Sequence, residues 1–359
     1  MRLPHPLNDP LTPIPPGVAI NTRRVVRCPA RIVRMRLLTH DTYELVVRTA
    51  DGSPPLCARA GQFAAISVPG VARPRSYSFA RDPRREHPGD HTFFIRLVPG
   101  GEMSCWLAAK DRSGESVEIA GPLGGFVLDD GDSPMLFVAG GSGLSAVKAL
   151  AEEASRRRLT RDCLFLYGAR SQRDLYAQHD VAQLAAAWAA GKRMEFVAVL
   201  SDEPAESSWR GPRGFVTDYL RVNYLDRDPW RSGRFKAWLC GPPPMVEAAN
   251  AALRNTGAAP SDIYCDAFAD ARSAAPVIDN RRCALCDECL LVKPVADCIV
   301  ETDLRSGAGV AKRDSCSTPI RPTHTAGLYY NALVINDAQC IRCYACVQAC
   351  PHGAIRTSS

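Results

Sequence analysis

The spacing of the cysteines constrains this chain more than any other feature. Nine of the 15 cysteines fall in the last 77 of 359 residues. Among them is the run Cys340-x2-Cys343-x2-Cys346-x3-Cys350-Pro351. Three thiolates at one short spacing converge on one face of an iron–sulfur cubane, and the fourth lies past the turn. Zinc also accepts four thiolates, but its sites pair two C-x2-C knuckles across a longer gap. The run therefore predicts iron–sulfur chemistry, with zinc as the alternative.

Upstream, Cys283-x2-Cys286-x2-Cys289 repeats the spacing. Cys298 follows after eight residues and precedes Ile299 rather than proline. The two runs supply eight thiolates, enough for two 4Fe-4S clusters. In two-cluster proteins the fourth cysteine of a run ligates the other cluster. By that rule one cluster takes Cys283, Cys286, Cys289 and Cys350. The other takes Cys340, Cys343, Cys346 and Cys298. Cys316 competes with Cys298 for the eighth place.

Clustered cysteines suit a reducing compartment, where they do metal or redox work rather than form disulfides. The opening MRLPHPLNDPLTPIPPG lacks the apolar run of a secretory signal, so a cytoplasmic location is expected. The longest apolar stretches, such as Met135–Ala139 and Leu184–Ala190, fall short of the ~20 residues that cross a bilayer. Net charge is a mild +6 with no dense Lys/Arg block. Neither a membrane span nor a nucleic-acid partner is expected.

Residues 1–24 hold six prolines and read as a disordered arm. Residues 25–130 are short apolar runs separated by Gly, Pro and Asp. They include Arg31–Leu38, Tyr43–Arg48, Gln62–Val68, Thr92–Val98 and Glu115–Ile119. That rhythm predicts an antiparallel barrel or sandwich. Residues 131–268 alternate instead. Strands are expected at Met135–Ala139, Cys163–Tyr167, Phe196–Leu200 and Ala237–Cys240, with helices at Leu144–Arg158, Asp180–Ala190 and Met245–Asn255. Alternation implies an α/β domain whose parallel sheet is covered on both faces. Residues 269–282 read as a linker, and 283–359 as a small α+β cysteine-rich domain.

Four segments carry further chemistry. Arg75-Ser76-Tyr77-Ser78 offers a cation for a phosphate, a flat phenol for stacking and a hydroxyl for a ring nitrogen. Taken alone it fits a half-buried strand better. Pro99-Gly100-Gly101-Glu102-Met103-Ser104 places two glycines before a helical start, which frees backbone N–H groups for phosphate. Ala139-Gly140-Gly141-Ser142-Gly143 stands directly between a strand and a helix, the setting of a dinucleotide turn. Cys240-Gly241-Pro242-Pro243 ends a strand and opens a helix.

In this order the motifs resemble the ferredoxin–NAD(P) reductase superfamily over residues 25–268. In particular they resemble reductase components of bacterial aromatic-ring (Rieske-type) oxygenases, of the benzoate dioxygenase reductase type. The resemblance implies an antiparallel β-barrel that binds FAD and an α/β domain that binds the nicotinamide nucleotide. It assigns Arg75, Tyr77, Ser78, Gly100, Gly101, Met103 and Ser104 to FAD. It assigns Gly140, Gly141, Ser142 and Gly143 to the nucleotide pyrophosphate. Ser142 replaces the usual threonine, and the usual following proline is absent. Cys240, Gly241, Pro242 and Pro243 match the motif beside the nicotinamide. Tyr264-Cys265-Asp266-Ala267-Phe268 resembles the family's terminal motif, whose aromatic, here Phe268, covers the flavin.

Residues 283–359 resemble two-cluster bacterial ferredoxins. They depart from them in the gap before Cys298 and in the long segment 299–339. Seven Lys/Arg balance seven Asp/Glu in this stretch, so no acidic docking face is implied. The usual plant-type 2Fe-2S spacing C-x4-C-x2-C is absent.

The expected activity follows from the resemblance. NADH gives a hydride to the flavin, with Cys240 beside the nicotinamide and Ser78 beside the reactive flavin nitrogen as positioning groups. Hydride carries two electrons and a cluster takes one, so a flavin that splits the pair and two clusters that store it match in number. Arg170 and Arg173 suit the 2′-phosphate of NADPH, whereas Asp174 opposes it. The pattern Gly168-Ala169-Arg170-x3-Asp174-Leu175-Tyr176 looks more like NADH-using relatives. The expected electron acceptor is a separate terminal oxygenase, an aromatic-ring hydroxylase or demethylase. The alternatives are a subunit of a low-potential redox complex, NAD(P)+ reduction in reverse, and a zinc-bearing scaffold.

Overall fold

The computed structural model describes residues 25–189, 191–267, 275–280, 282–303 and 331–357. The arm 1–24, most of the linker, Phe268 and Cys316 lie outside the described residues.

The first domain contains β1 (Val26–Thr39), β2 (Thr42–Thr49), β3 (Phe63–Ser67), β4 (Arg75–Ser78), β5 (Asp90–Arg96), α1 (Glu102–Ala108) and β6 (Ser116–Leu123). Its strands form one antiparallel sheet in the order β4-β3-β6-β1-β2-β5. A bridge between Phe79 and Phe93 brings the two ends together, so the sheet is a nearly closed barrel rather than a sandwich. Strand alternation fills its interior with Cys28, Ala30 and Ile32 of β1 and Ala64 and Ile66 of β3. The odd residues of β3, Phe63 and Ala65, face outward and are covered all the same.

The second domain runs β7 (Met135–Gly140), α2 (Leu144–Arg156), β8 (Cys163–Ala169), α3 (Gln178–Ala186), β9 (Met194–Leu200), α4 (Val216–Asn223), β10 (Lys236–Gly241), α5 (Pro243–Asn255) and β11 (Ile263–Ala267). The sheet is parallel, in the order β11-β10-β7-β8-β9. Met135, Phe137 and Ala139 face α2 and α3, whereas Leu136 and Val138 face α4 and α5. Both faces of β7 are therefore core, which is why its sequence is a continuous apolar run. Helix α4 escaped the sequence reading because only Val216 and Leu220 of its eight residues are buried, too few to display a period. The strand order reverses between β7 and β10. In open α/β sheets the crevice at such a switch point takes the ligand.

The cysteine-rich region contains β12 (Val277–Ile278), α6 (Glu288–Leu291), β13 (Ile299–Asp303), β14 (Asn331–Ile335), α7 (Ala345–Ala349) and β15 (Ile355–Arg356). β12 pairs with β15 and β13 with β14, both antiparallel. The two cysteine loops share one backbone conformation. Leu285 and Asp287 have φ of 52° and 62°, and the residues at the same offsets in the second loop, Arg342 and Tyr344, have 55° and 53°. Left-handed φ is uncommon outside glycine. Its identical recurrence marks two copies of one device.

Candidate functional site

A cleft of about 470 Å³ opens at the switch point between β7 and β10. Its walls include Gly140, Gly141, Arg170, Asp174, Phe215 and Pro242. Gly141 has φ of +52° and its carbonyl accepts a hydrogen bond from the Tyr176 hydroxyl at 3.1 Å. Gly143 must be glycine for space. A Cβ there would lie well under 3.0 Å from the backbone carbonyl of Cys240. The turn therefore presses against the end of β10, and helix α2 starts at once behind it. A helix start at a glycine turn attracts a pyrophosphate. The sequence-named Gly140, Gly141, Ser142, Gly143, Gly241 and Pro242 are brought together here. Arg170 stands on the cleft wall with its side chain half-exposed.

Asp174 is locked in place. Its Oδ2 accepts from the Ser171 N–H at 2.9 Å and the Ser171 hydroxyl at 2.7 Å. Its Oδ1 is buried without a hydrogen bond, with Arg170 Nη2 at 3.5 Å and His40 Nε2 at 3.8 Å. His40, Asp41 and Asp174 come close enough to suggest a metal. The cations already there argue otherwise: Arg96 Nε donates to Asp41 Oδ2 at 2.9 Å, and Arg170 approaches it at 4.0 Å. The group is a polar latch between barrel and α/β domain.

Cys240 is fully buried, and its thiol donates to Asp266 Oδ2 at 3.8 Å. Burial, then the Asp266 charge, pushes the thiol well above the usual range. Burial also pushes Asp266 up to about 6. This thiol stays protonated and is no nucleophile.

On the barrel, β4 places its residues on two faces. Tyr77 packs on the barrel interior, and burial pushes its phenol above the usual range. Ser78 is buried and is the cross-strand partner of Phe63. Arg75 reaches the Gly100-Gly101 loop, where its Nη2 pairs with Glu102 Oε2 at 3.1 Å. That carboxylate sits where a phosphate would satisfy the same guanidinium. The Met103 side chain lies in the barrel core. The Ser104 hydroxyl accepts from the Val98 N–H at 2.8 Å and braces the loop.

The barrel and the α/β domain are fixed relative to each other. A buried polar clamp does this. Lys148, with no exposed surface, donates to Glu152 Oε1 at 2.5 Å. Glu152 Oε2 accepts from the Asp82 N–H at 2.8 Å, and Arg156 Nε donates to Asp82 Oδ2 at 2.5 Å. The Trp238 indole also donates to Val127 O at 3.0 Å across the interface.

The eight described cysteines of the two runs sort into two groups. Cys283, Cys286, Cys289 and Cys350 line one cavity with Ile278 and Ile355. Burial first, then these three neighbouring thiols, pushes Cys289 up to about 12. Cys346 has Cys343, Cys340 and Cys298 as thiol neighbours, with Cys289 of the first group also near it. Burial and then neighbouring thiols push Cys343 up to about 12. Buried thiols held this high become thiolates only around a cationic core. Zinc would draw its sulfurs to about 3.8 Å of one another, given Zn–S near 2.3 Å. Among the described residues no three cysteine sulfurs lie within 4.8 Å of one another. Backbone N–H groups of Arg342 and Ala354 also donate to the sulfurs of Cys340 and Cys350, at 3.4 and 3.3 Å. Alternating right- and left-handed residues aim such groups at anionic clusters.

Two site residues escaped the sequence reading. Phe215, 66% exposed, stands at the cleft wall after the Gly211–Gly214 turn. An aromatic between a glycine turn and an unrecognised helix was the available signal. Arg96, at the end of β5, had none to separate it from surface arginines. An exposed ring beside a nucleotide cleft is a stacking surface. Phe215→Ala is expected to raise the KM for NADH about tenfold with little change in kcat. Steady-state kinetics check this, and an unchanged KM removes Phe215 from the site.

Comparison with known proteins identifies the families of the three regions. Residues 29–128 match the oxidoreductase FAD-binding domain family, 137–251 the oxidoreductase NAD-binding domain family and 333–356 the 4Fe-4S binding domain family. The xylene/toluene monooxygenase electron transfer component of Pseudomonas putida is 37% identical over 239 residues, 67% of this chain and 65% of that protein. The reductase component of the naphthalene 1,2-dioxygenase system, also from Pseudomonas putida, is 34% identical over 68% of this chain and 71% of its own length. The crystal structure of the Amycolatopsis cytochrome P450 reductase GcoB superposes with a TM-score of 0.60 at 32% identity, over 68% of this chain and 70% of that one. The chain thus spans about two thirds of the length of the relatives it matches. Among the described residues no helix is long and apolar enough to cross a membrane. The chain belongs to the ferredoxin–NAD(P) reductase family, whose relatives here include reductase components of aromatic oxygenases, and it carries that family's FAD-binding and NAD-binding domains with a C-terminal 4Fe-4S domain.

Proposed function

We propose that this chain takes electrons from NADH and passes them, through FAD and two 4Fe-4S clusters, to a separate terminal oxygenase acting on an aromatic substrate. The observation that carries the two-cluster part is the pair of cysteine loops with the same left-handed pattern, each beside its own group of four thiols. The oxygenase is supported by the relatives, which serve monooxygenases and dioxygenases by name. When bound, FAD supplies the exchange between two-electron and one-electron transfer, and the clusters supply one-electron storage.

The chain's own residues do the rest. Arg75 and the Gly100-Gly101 loop would hold the flavin pyrophosphate. The Gly140–Gly143 turn and the start of α2 would hold the nucleotide pyrophosphate. Cys240 keeps its thiol proton at the buried end of β10, directed at Asp266. The interdomain clamp fixes the approach. Eight thiolates around two clusters predict about eight iron atoms per chain. Metal analysis with anaerobic NADH titration tests this. Iron near eight and bleaching of both flavin and cluster bands support the reading, whereas zinc without colour overturns it. Reconstitution with a purified aromatic-ring oxygenase tests the acceptor by NADH-dependent oxygen uptake.

Asp174 favours NADH. A carboxylate at this place hydrogen-bonds a ribose 2′-hydroxyl and repels a 2′-phosphate. Asp174→Ser keeps a polar partner for the Ser171 turn and removes the charge. It is expected to shift the NADH-to-NADPH ratio of kcat/KM by about 10²-fold toward NADPH, as removal of a like-charge clash does. An unchanged ratio places the discrimination elsewhere.

A further inference from the structure

The geometry points to an order for the two cysteine sets, an inference that rests on the two-cluster reading above. The set Cys298, Cys340, Cys343 and Cys346 receives electrons from the flavin barrel. The set Cys283, Cys286, Cys289 and Cys350 delivers them to the outside acceptor.

The argument starts on the outer face of the barrel. An outward strand face is ordinarily polar. On β3 and β6 it is apolar instead: Ala65, Ala120 and Leu123 are all nearly fully buried. What covers them is chiefly the second cysteine loop, Ile341, Cys343 and Ala345, with Ala349 behind it and Val292 from the segment after Cys289; Cys343 is the one cluster cysteine in this contact. Arg27 adds a polar contact, donating to the Lys293 carbonyl at 3.4 Å. The barrel is therefore built to seat this loop. The first cysteine loop is placed otherwise. The cavity lined by Cys283, Cys286, Cys289 and Cys350 has no barrel residue in its wall. Cys286 is exposed, and Leu291, just past Cys289, is 54% exposed.

Phe63 joins the two ends of the path. It is the cross-strand partner of Ser78, the hydroxyl assigned to the flavin ring, and cross-strand partners lie on the same face of a sheet. It also packs in the same apolar contact as Cys343. Electron transfer between fixed centres falls steeply with distance, so the set seated on the barrel is reduced first. Electrons balance in this order. NADH yields NAD+, a proton and two electrons, the flavin returns to its starting state, and each cluster takes one electron.

Rapid-freeze EPR on the full chain after mixing with NADH tests the order. Cys286→Ala empties the delivering set. The remaining cluster is expected to be reduced by NADH at close to the wild-type rate, while cytochrome c reduction, the outside probe, falls steeply. Cys346→Ala empties the receiving set. The remaining cluster is expected to be reduced by dithionite but about a hundredfold more slowly by NADH. The mirror pattern overturns the order.

Ala65→Glu guards against failed folding of a cysteine variant, because it leaves every thiol intact and lies on the outer face of the barrel. It is expected to leave iron content and NADH bleaching of the flavin unchanged and to slow cluster reduction about tenfold, with Ala65→Ser near wild type. Unslowed cluster reduction in Ala65→Glu overturns the order. A wild-type chain with one cluster or zinc overturns the two-cluster reading itself.

Discussion

Gly143→Ala is expected to lower kcat/KM for NADH-dependent flavin reduction by about 10²-fold or more, as a displacement near 1 Å in a reactant site does. The cause is steric. Gly143 has φ of −61°, which alanine adopts freely, so no loss comes from backbone strain. The added Cβ would instead overlap the Cys240 carbonyl and the Gly241 nitrogen, which are backbone atoms of a central strand paired on both sides. Neither can move without disturbing β7 or β11. The glycine turn must shift outward, and it carries the start of α2 with it. The atoms that clash belong to no residue of the flavin motif and to no cysteine of the two runs. Flavin content, iron content and reduction by dithionite should therefore match wild type. Stopped-flow bleaching by NADH measures the loss. Wild-type bleaching in Gly143→Ala would mean that the nucleotide pyrophosphate does not rest on this turn.

The parts legible in the sequence were those where one local rule decides the outcome. β7 shows as an apolar run because both its faces are core, and the glycine turn after it shows because strand, glycines and helix are contiguous. The cysteine loops show because ligand spacing is local. What stayed hidden depends on packing between distant segments. Tyr77 and Ser78 read as one flavin motif, yet strand alternation sends them to opposite faces of β4. Nothing in the motif around Met103 says that its side chain fills the barrel core. Lys148, Glu152, Asp82 and Arg156 look like scattered surface charges, and only the interface assembles them into a clamp. The apolar outer face of β3 and β6 reads as ordinary strand, because nothing local says what will cover it. The helix expected to end at Ala190 stops at Ala186, four residues earlier.

Cys298→Ala is expected to halve the iron, from about eight to about four atoms per chain, and to leave one of two cluster signals in the fully reduced EPR spectrum. Sequence spacing left this position open, because eight residues separate it from Cys289 and no proline follows. The structure gives it neighbours. Cys298 is 7% exposed, and burial followed by the nearby Cys340 pushes its thiol up to about 11. It sits at the foot of β13, where Asn336 N–H donates to its carbonyl at 3.0 Å. The pairing of β13 with β14 thereby ties it to the segment that leads into Cys340. Three remaining thiols cannot close the set by themselves, and an incomplete set leaves buried sulfurs without the charge partner that makes thiolates tolerable there. In the two-cluster reading proposed above, the other cluster draws none of its four ligands from Cys298, so half the iron should remain. Cys316→Ala is the paired experiment. Full iron in Cys298→Ala together with halved iron in Cys316→Ala would move the eighth ligand to Cys316. Full iron in both would mean that the second cluster is closed by a group other than these two thiols.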